Sequence, residues 1–225
     1  MSAAYIVALI AAVGLFLFGL AQRARRRKEL AAWAATQGFT FSHNPNRFFD
    51  ERFPGFRCLR RGHSRTAYHI SEGTRNGRPV IAFDYRYVVG HGKSRSVCRL
   101  SAVILQSRIA LKPLYIRPEG IFDKLTEFAG IDDIDFESAE FSRAFYVKSR
   151  DRRWAYDVLH PRTMTLLLEM PRFSIEFDST HVIVWKAPRF APDRFEAAMA
   201  VAEGLLDRLP DYLIRSQSTE EQEEG

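Results

Sequence analysis

The pattern of hydrophobic and polar positions divides the chain into an apolar beginning and a mixed remainder. No charged side chain occurs in residues 1–22, and residues 3–21 are almost wholly apolar. At a helical rise of about 1.5 Å per residue, this apolar run spans about 28 Å, close to the roughly 30 Å hydrocarbon core of a bilayer. The pattern therefore predicts a transmembrane anchor over residues 1–22 that crosses the bilayer through residues 3–21.

A basic stretch follows the apolar run directly. It consists of Arg23, Arg25, Arg26, Arg27 and Lys28. A cleaved signal peptide has the reverse polarity, with its positive charges before the apolar run. Because Lys and Arg concentrate on the cytoplasmic side of membranes, we expect a single-pass protein of the cell membrane, with its N-terminus outside and its soluble domain in the cytoplasm. The same stretch is suited to contact anionic lipid headgroups.

The remaining pattern predicts an α+β fold in two halves. Residues 23–37 are good helix formers and predict a basic juxtamembrane helix that ends at Gly38. Residues 38–140 form a β-rich half, in which Asn76-Gly77 marks a hairpin between strands at 66–71 and 79–89. Further strands at 97–105 and 111–116 complete an antiparallel meander of four or five strands.

Helical spacing returns after the meander. We expect a helix at 118–129, and then an α+β half over residues 141–216 arranged as helix, helix, hairpin and helix. Its elements are a strand at 145–148, helices at 152–159 and 161–170, a hairpin of 174–177 with 182–186, and an amphipathic helix at 192–209. The Glu-rich residues 217–225 predict a disordered acidic tail.

Composition narrows the class of protein without identifying it. Hydrophobic residues make up 46% of the 225 positions and include 18 Phe, enough for a sizeable core. The net charge of +6 favours anionic partners. Two cysteines do not form a disulfide framework, so a reducing compartment fits better.

A second basic cluster lies in the β-rich half. Arg57, Arg60, Arg61 and Arg65 alternate with apolar residues. They are interpreted either as a solvated face or as a surface turned toward the anionic inner leaflet. Nucleic acid is a disfavoured partner, because no helix-turn-helix or RNA-binding signature is present.

Familiar catalytic patterns fail at specific positions. The segment from Gly90 to Ser94 is similar to the end of a phosphate-binding loop, but Tyr87 stands where that loop needs a glycine and a strand follows instead of a helix. The six histidines are scattered, and no Gly-x-Ser-x-Gly occurs. Asp132, Asp133, Asp135 and Glu137 do not have the spacing of a calcium loop. We therefore predict no catalytic, metal or cofactor residues.

One segment resembles a known family. Residues 140–147 read Glu-Phe-Ser-Arg-Ala-Phe-Tyr-Val, and Leu159-His160-Pro161 follows. Over residues 136–187 this resembles an uncharacterised bacterial family of membrane-anchored domains of unknown function. There, a strand with the pattern Phe-x-Arg-x-Phe-x-Val precedes a short helix, a Leu-x-Pro junction, a helix and a hairpin. The resemblance implies an anchored domain and supplies no activity.

Two functional hypotheses follow. The first is a non-catalytic interaction module at the membrane surface, with anionic lipid or a protein as its partner. The second is a small-molecule-binding or hydrolytic enzyme whose site is assembled from residues distant in sequence. A basic face beside the anchor would favour the module, and a polar pocket with convergent titratable groups would favour the enzyme.

Overall fold

The computed structural model describes residues 3–120 and 134–213. Its helices are α1 (Ala3–Thr36), α2 (Ala139–Ala144), α3 (Arg152–Val158), α4 (Pro161–Glu169) and α5 (Pro192–Leu206). Its strands are β1 (Thr40–Ser42), β2 (His63–Arg75), β3 (Arg78–Val89), β4 (Ser96–Gln106), β5 (Leu114–Pro118), β6 (Phe145–Lys148), β7 (Ser174–Phe177) and β8 (His181–Lys186). Short 3-10 turns occur at Phe49–Arg52, Arg57–Arg60 and Gly92–Ser94. The α+β class is confirmed.

The strands form a single antiparallel sheet of eight in the order β1-β2-β3-β4-β8-β7-β5-β6. The hairpin at Asn76-Gly77 is confirmed, and both residues have the positive φ that such a turn requires. The predicted meander is wrong after β4, because β8 rather than β5 pairs with that strand. Ala102 lies opposite Trp185 and Ile104 opposite Ile183, so this pairing buries apolar side chains from residues far apart in sequence.

Two local predictions change in the structure. Pro118 ends β5 instead of opening a helix, and the remainder of the helix predicted at 118–129 falls almost wholly outside the described residues, as do Asp132, Asp133 and the acidic tail. In the resemblance segment, Phe141 belongs to α2 rather than to a strand. The hydroxyl of Ser138 accepts a hydrogen bond from the backbone N–H of Phe141 at 3.2 Å and caps the N-terminus of α2.

Each face of the sheet has its own core. On one face the C-terminal part of α1 packs with α4 and α5, and Trp33 stacks on Phe195 with ring centroids 5.1 Å apart. On the other face the segment with the first two 3-10 turns covers Phe83 and Tyr85. The carboxylate of Glu176 in β7 accepts hydrogen bonds from the backbone N–H groups of Arg57 (2.7 Å) and Cys58 (3.2 Å). This contact ties the second 3-10 turn to the sheet.

Helix α1 has two different environments along its length. Its apolar beginning is exposed, with Leu15 73% and Phe18 63% accessible, whereas Leu30 near its end is 2% accessible. Among the described residues, α1 is the one helix long and apolar enough to cross a membrane. The helix Ala3–Thr36 has no break between its apolar part and the basic stretch, so the basic stretch continues the apolar helix into the core. Such a run of exposed apolar side chains indicates membrane association.

Candidate anion-binding cleft beside helix α1

The face of the sheet that packs on α1 changes character along β3 and β4. Val80 and Ala82 of β3 are buried in the core, and the next two residues on the same face are Asp84 and Arg86. On β4 the residues opposite these polar positions are Ser101 and Arg99, respectively. The sheet is therefore apolar under the C-terminal part of α1 and polar under its middle.

A cleft of about 870 Å³ lies between this polar half of the sheet and α1. Seven arginines line it: Arg23, Arg25 and Arg26 from α1, Arg86 from β3, Arg99 from β4, and Arg47 and Arg189 from loops. The remaining lining includes Glu29, His43, Thr66, Tyr68 and His69. The cleft is thus strongly basic.

Asp84 lies beneath the cleft, in contact with its lining residues Arg26 and His69, and its side chain is 0% accessible. The guanidinium of Arg26 donates two hydrogen bonds to its carboxylate, Nε to Oδ2 at 2.7 Å and Nη2 to Oδ1 at 2.6 Å. His69 Nδ1 lies 3.0 Å from Oδ2, and the hydroxyl of Ser101 donates to Oδ1. Burial works to raise the pKa of Asp84, but the hydrogen bonds from His69, Arg26 and Ser101 and the charge of Arg26 lower it overall. The carboxylate is therefore charged and fully engaged.

The same network fixes the loop before α5. Arg26 Nη1 donates to the carbonyl oxygen of Phe190 at 2.8 Å, and the backbone N–H of Phe190 donates to the hydroxyl of Ser101 at 2.9 Å. Burial raises the pKa of Tyr68, and the positive charge of Arg189, the residue before Phe190, works against that rise. Arg26 thereby joins α1, β3 and this loop, so the walls of the cleft are held together.

A bulge in β2 explains how two consecutive side chains reach the cleft. The register of β2 with β3 shifts between Tyr68 and Ser71, and His69 has a φ of 52°. Successive side chains normally alternate between the faces of a strand, and a bulge suspends that alternation. Tyr68 and His69 consequently both line the cleft, at the cost of a left-handed backbone conformation that is unfavourable for histidine.

The positive charges of the cleft exceed its negative ones. Asp84 is engaged by Arg26, and Glu29 accepts a hydrogen bond from Arg25 at 2.7 Å. Among the described residues, none of the other five lining arginines has an acidic partner within 4.0 Å. These five are Arg23, Arg47, Arg86, Arg99 and Arg189. Chemically, the arrangement is suited to hold an anion. No group of three or more metal-ligating side chains occurs in the described ranges.

The nine arginine and lysine residues predicted to contact lipid lie in different parts of the structure. Arg23, Arg25 and Arg26 line the cleft, whereas Arg27 and Lys28 are exposed on α1 outside it. None of the four residues Arg57, Arg60, Arg61 and Arg65 lines the cleft. Their contact with lipid remains a prediction.

Three of those four arginines are half-buried, and only Arg60 is exposed. The guanidinium of Arg61 lies 4.7 Å from the ring centroid of Trp185, and Arg65 Nε lies 3.0 Å from Asp50 Oδ2. Of the two interpretations of this cluster, a fully solvated face does not describe Arg61 and Arg65, because both guanidinium groups have partners within the fold.

Sequence reasoning did not single out Asp84, His69, Arg86 or Arg99. Asp84, Arg86 and Arg99 were detectable in principle, because they are charged residues within two otherwise apolar strands. His69 carried no such signal, since its position depends on the bulge.

No family model and no curated protein matches the chain, which is consistent with its resemblance to a family without known activity. The chain is similar to the crystal structure of the mycobacterial trehalose monomycolate transport factor A, TtfA, with a TM-score of 0.62 and 14% identity. The match covers 82% of this chain and 96% of that chain. At this identity the likeness shows a shared fold alone.

Proposed function

We propose that this chain is a single-pass membrane protein whose cytoplasmic domain is a non-catalytic interaction module at the membrane surface. One observation carries the proposal: α1 runs without a break from its exposed apolar part into the core, and the arginine-lined cleft opens beside its first basic turn. The basic stretch after the apolar run supports the orientation with the N-terminus outside.

In this proposal the cleft lies at the level of the lipid headgroups, and the length of the helix supports that position. The headgroup region adds roughly 5–7 Å on each side of the hydrocarbon core. Arg23 and Arg26 lie about 1.5 Å and 6 Å beyond Gln22 along the helix axis. Both lengths fall within the headgroup layer, so the cleft is positioned to meet anionic groups of the cytoplasmic leaflet.

The enzyme hypothesis has less support. His69 and Asp84 are the convergent titratable pair of the cleft, but both oxygens of Asp84 already accept hydrogen bonds within the fold. Ser101 donates to Asp84 and accepts from the N–H of Phe190, so its hydroxyl is engaged as well. These groups hold the structure together, which favours a binding role.

A protein partner is the natural extension of this proposal. TtfA, the structural neighbour, is named as a transport factor. We extend that description to this chain by analogy of fold only: an accessory module that acts with another protein in a membrane process.

The test measures which end of the sheet lies near the bilayer. Arg26 contacts Asp84, and Gln37 lies 3.5 Å from Arg75, so α1 and β3 run in opposite directions. The turn after β3 is therefore membrane-proximal and the Asn76-Gly77 turn distal. The two ends of β3 are about 36 Å apart at roughly 3.3 Å per residue.

Single fluorescent labels at Lys93→Cys and at Thr74→Cys, in a Cys98→Ser background, form the matched pair. The full-length chain is reconstituted in liposomes that contain a lipid with a headgroup-attached quencher. We expect strong quenching of the label at position 93 and little at position 74. Equal quenching at both positions would refute placement of the cleft at the membrane surface.

A further inference from the structure

We propose that the cleft is a binding site for a phosphomonoester group, held by Arg86 and Arg99 as its central pair. The inference deepens the proposed function and rests on it only for the source of the ligand, because a membrane-level cleft would take the phosphate from a lipid headgroup. The same chemistry in a soluble phosphate compound is the other source, and the test below separates the two.

The central observation is a like-charge pair within the sheet. Arg86 and Arg99 are directly opposite each other in the β3–β4 ladder, and both line the cleft. Directly opposite residues of an antiparallel pair have Cβ atoms about 4.5–5.5 Å apart, and like charges there destabilise the sheet. An anion between the two guanidinium groups converts this repulsion into two attractive contacts.

No carboxylate in the described part of the cleft can take that role. Asp84 is bound by Arg26, His69 and Ser101, and Glu29 is paired with Arg25 at the exposed rim. Arg86 and Arg99 are both exposed on the polar half of the sheet. The described residues therefore supply no negative charge for this pair, and we infer that a bound anion supplies it.

The number and geometry of the donors favour phosphate over a carboxylate. Arg23 and Arg47 line the same cleft and, like Arg86 and Arg99, have no acidic partner among the described residues. A carboxylate offers two oxygens, whereas a phosphomonoester carries between about one and a half and two negative charges on three oxygens at neutral pH. Planar guanidinium groups bind phosphate oxygens in pairs, so several arginines can share one phosphomonoester.

The contacts of Arg26 and the volume of the cleft also suit a bound ligand. Arg26 is locked to Asp84 and to the backbone of Phe190, which fixes α1 against the sheet and leaves the other arginines free to turn inward. The volume of the cleft, about 870 Å³, lies within the usual range of roughly 300–1,000 Å³ for small-molecule sites. A headgroup and its glycerol fit such a space.

Thermal unfolding of the full-length chain in phosphatidylcholine nanodiscs provides the test. In the lipid arm, phosphatidic acid replaces a fifth of the phosphatidylcholine, and a second nanodisc contains phosphatidylglycerol, which is anionic but has no phosphomonoester. In the soluble arm, glycerol 3-phosphate is titrated into the phosphatidylcholine sample. A ligand about a hundredfold above its Kd should raise the melting temperature by about 5–10 °C.

Two double variants distinguish the cleft from general attraction to anionic lipid. Arg86→Gln with Arg99→Gln removes the central pair, and Arg27→Gln with Lys28→Gln removes the same charge from the exposed face of α1. We expect the rise in wild type and in the Arg27/Lys28 variant, and its loss in the Arg86/Arg99 variant. That cleft variant should itself melt no lower than wild type without ligand, because it relieves like-charge repulsion.

Each outcome decides the proposal. A rise with phosphatidic acid alone supports a lipid headgroup, and a rise with glycerol 3-phosphate as well supports a soluble phosphomonoester. An equal rise with phosphatidylglycerol, a rise that survives in the Arg86/Arg99 variant, or no rise in either arm would overturn it. The quenching experiment with labels at positions 93 and 74 reports separately on the proposed function, so the two failures are distinguishable.

Discussion

Arg26 is the residue whose replacement should reveal most about how α1 is joined to the domain. We consider Arg26→Met in a fragment of residues 22–225, which lacks the apolar run but retains the basic stretch. The change removes two hydrogen bonds to the buried carboxylate of Asp84 and one to the carbonyl oxygen of Phe190. Methionine keeps most of the aliphatic volume, so the electrostatic effect dominates.

The expected decrease in the free energy of unfolding follows from the burial of Asp84. Removing one partner of a buried ion pair costs about 3–5 kcal/mol, because the other charge stays buried without its partner. His69 and Ser101 still donate to Asp84 in the variant, so we expect the lower end, about 3 kcal/mol. With a urea dependence near 2 kcal/mol per molar, the unfolding midpoint should fall by about 1.5 M.

Arg25→Met is the matched control, since the Arg25 side chain is 77% exposed and its one acidic partner among the described residues is the exposed Glu29. It should change the free energy of unfolding by less than about 0.5 kcal/mol. Asp84→Asn, made alone and together with Arg26→Met, completes a double-mutant cycle with an expected coupling of about 1–3 kcal/mol. Unfolding is followed by fluorescence of the buried residues Trp33, Trp154 and Trp185.

The pH dependence gives a second check on the same pair. The folded-state pKa of Asp84 is lowered, so its contribution is present above the unfolded value of about 3.8 and is lost as the pH falls through the folded pKa. The stability difference between wild type and Arg26→Met should therefore shrink below about pH 4. If Arg26→Met behaves like Arg25→Met, or if the cycle shows no coupling, Arg26 does not lock α1 to the sheet.

Three further predictions concern the anchor and the core. The full-length chain should stay with membranes through an alkaline carbonate wash, whereas the fragment of residues 22–225 should be soluble; release of the full-length chain would contradict an anchor. Burial raises the pKa of Glu176, so ionisation of this side chain destabilises the fold as the pH rises through that raised value. Glu176→Gln should therefore become more stable relative to wild type with increasing pH, and a pH-independent difference in urea midpoints would count against this. Gly62→Ala should lower the melting temperature by several degrees, because Gly62 has a φ of 58° and a Cβ there would clash with the carbonyl oxygen of Val88. An unchanged melting temperature would contradict this reasoning.

The sequence by itself determined the features that depend on neighbouring residues. The apolar run, the basic stretch after it and the Asn76-Gly77 turn are local signals, because each follows from side-chain type over a few consecutive positions. Three of the seven arginines that line the cleft were also predicted from the sequence to contact an anionic partner, because Arg23, Arg25 and Arg26 follow the apolar run directly.

Only the tertiary structure decided which strands are neighbours and what the polar positions do. Alternation assigns a side chain to a face of a strand, but it carries no information about the partner strand, so the insertion of β7 and β8 between β4 and β5 was not predictable. Asp84 looks like an ordinary solvated carboxylate in the sequence, and it becomes the buried anchor of Arg26 only because α1 packs over it. Arg86 and Arg99 are adjacent for the same reason: the cross-strand register, set by packing of both cores, joins charges that the chain separates by thirteen positions.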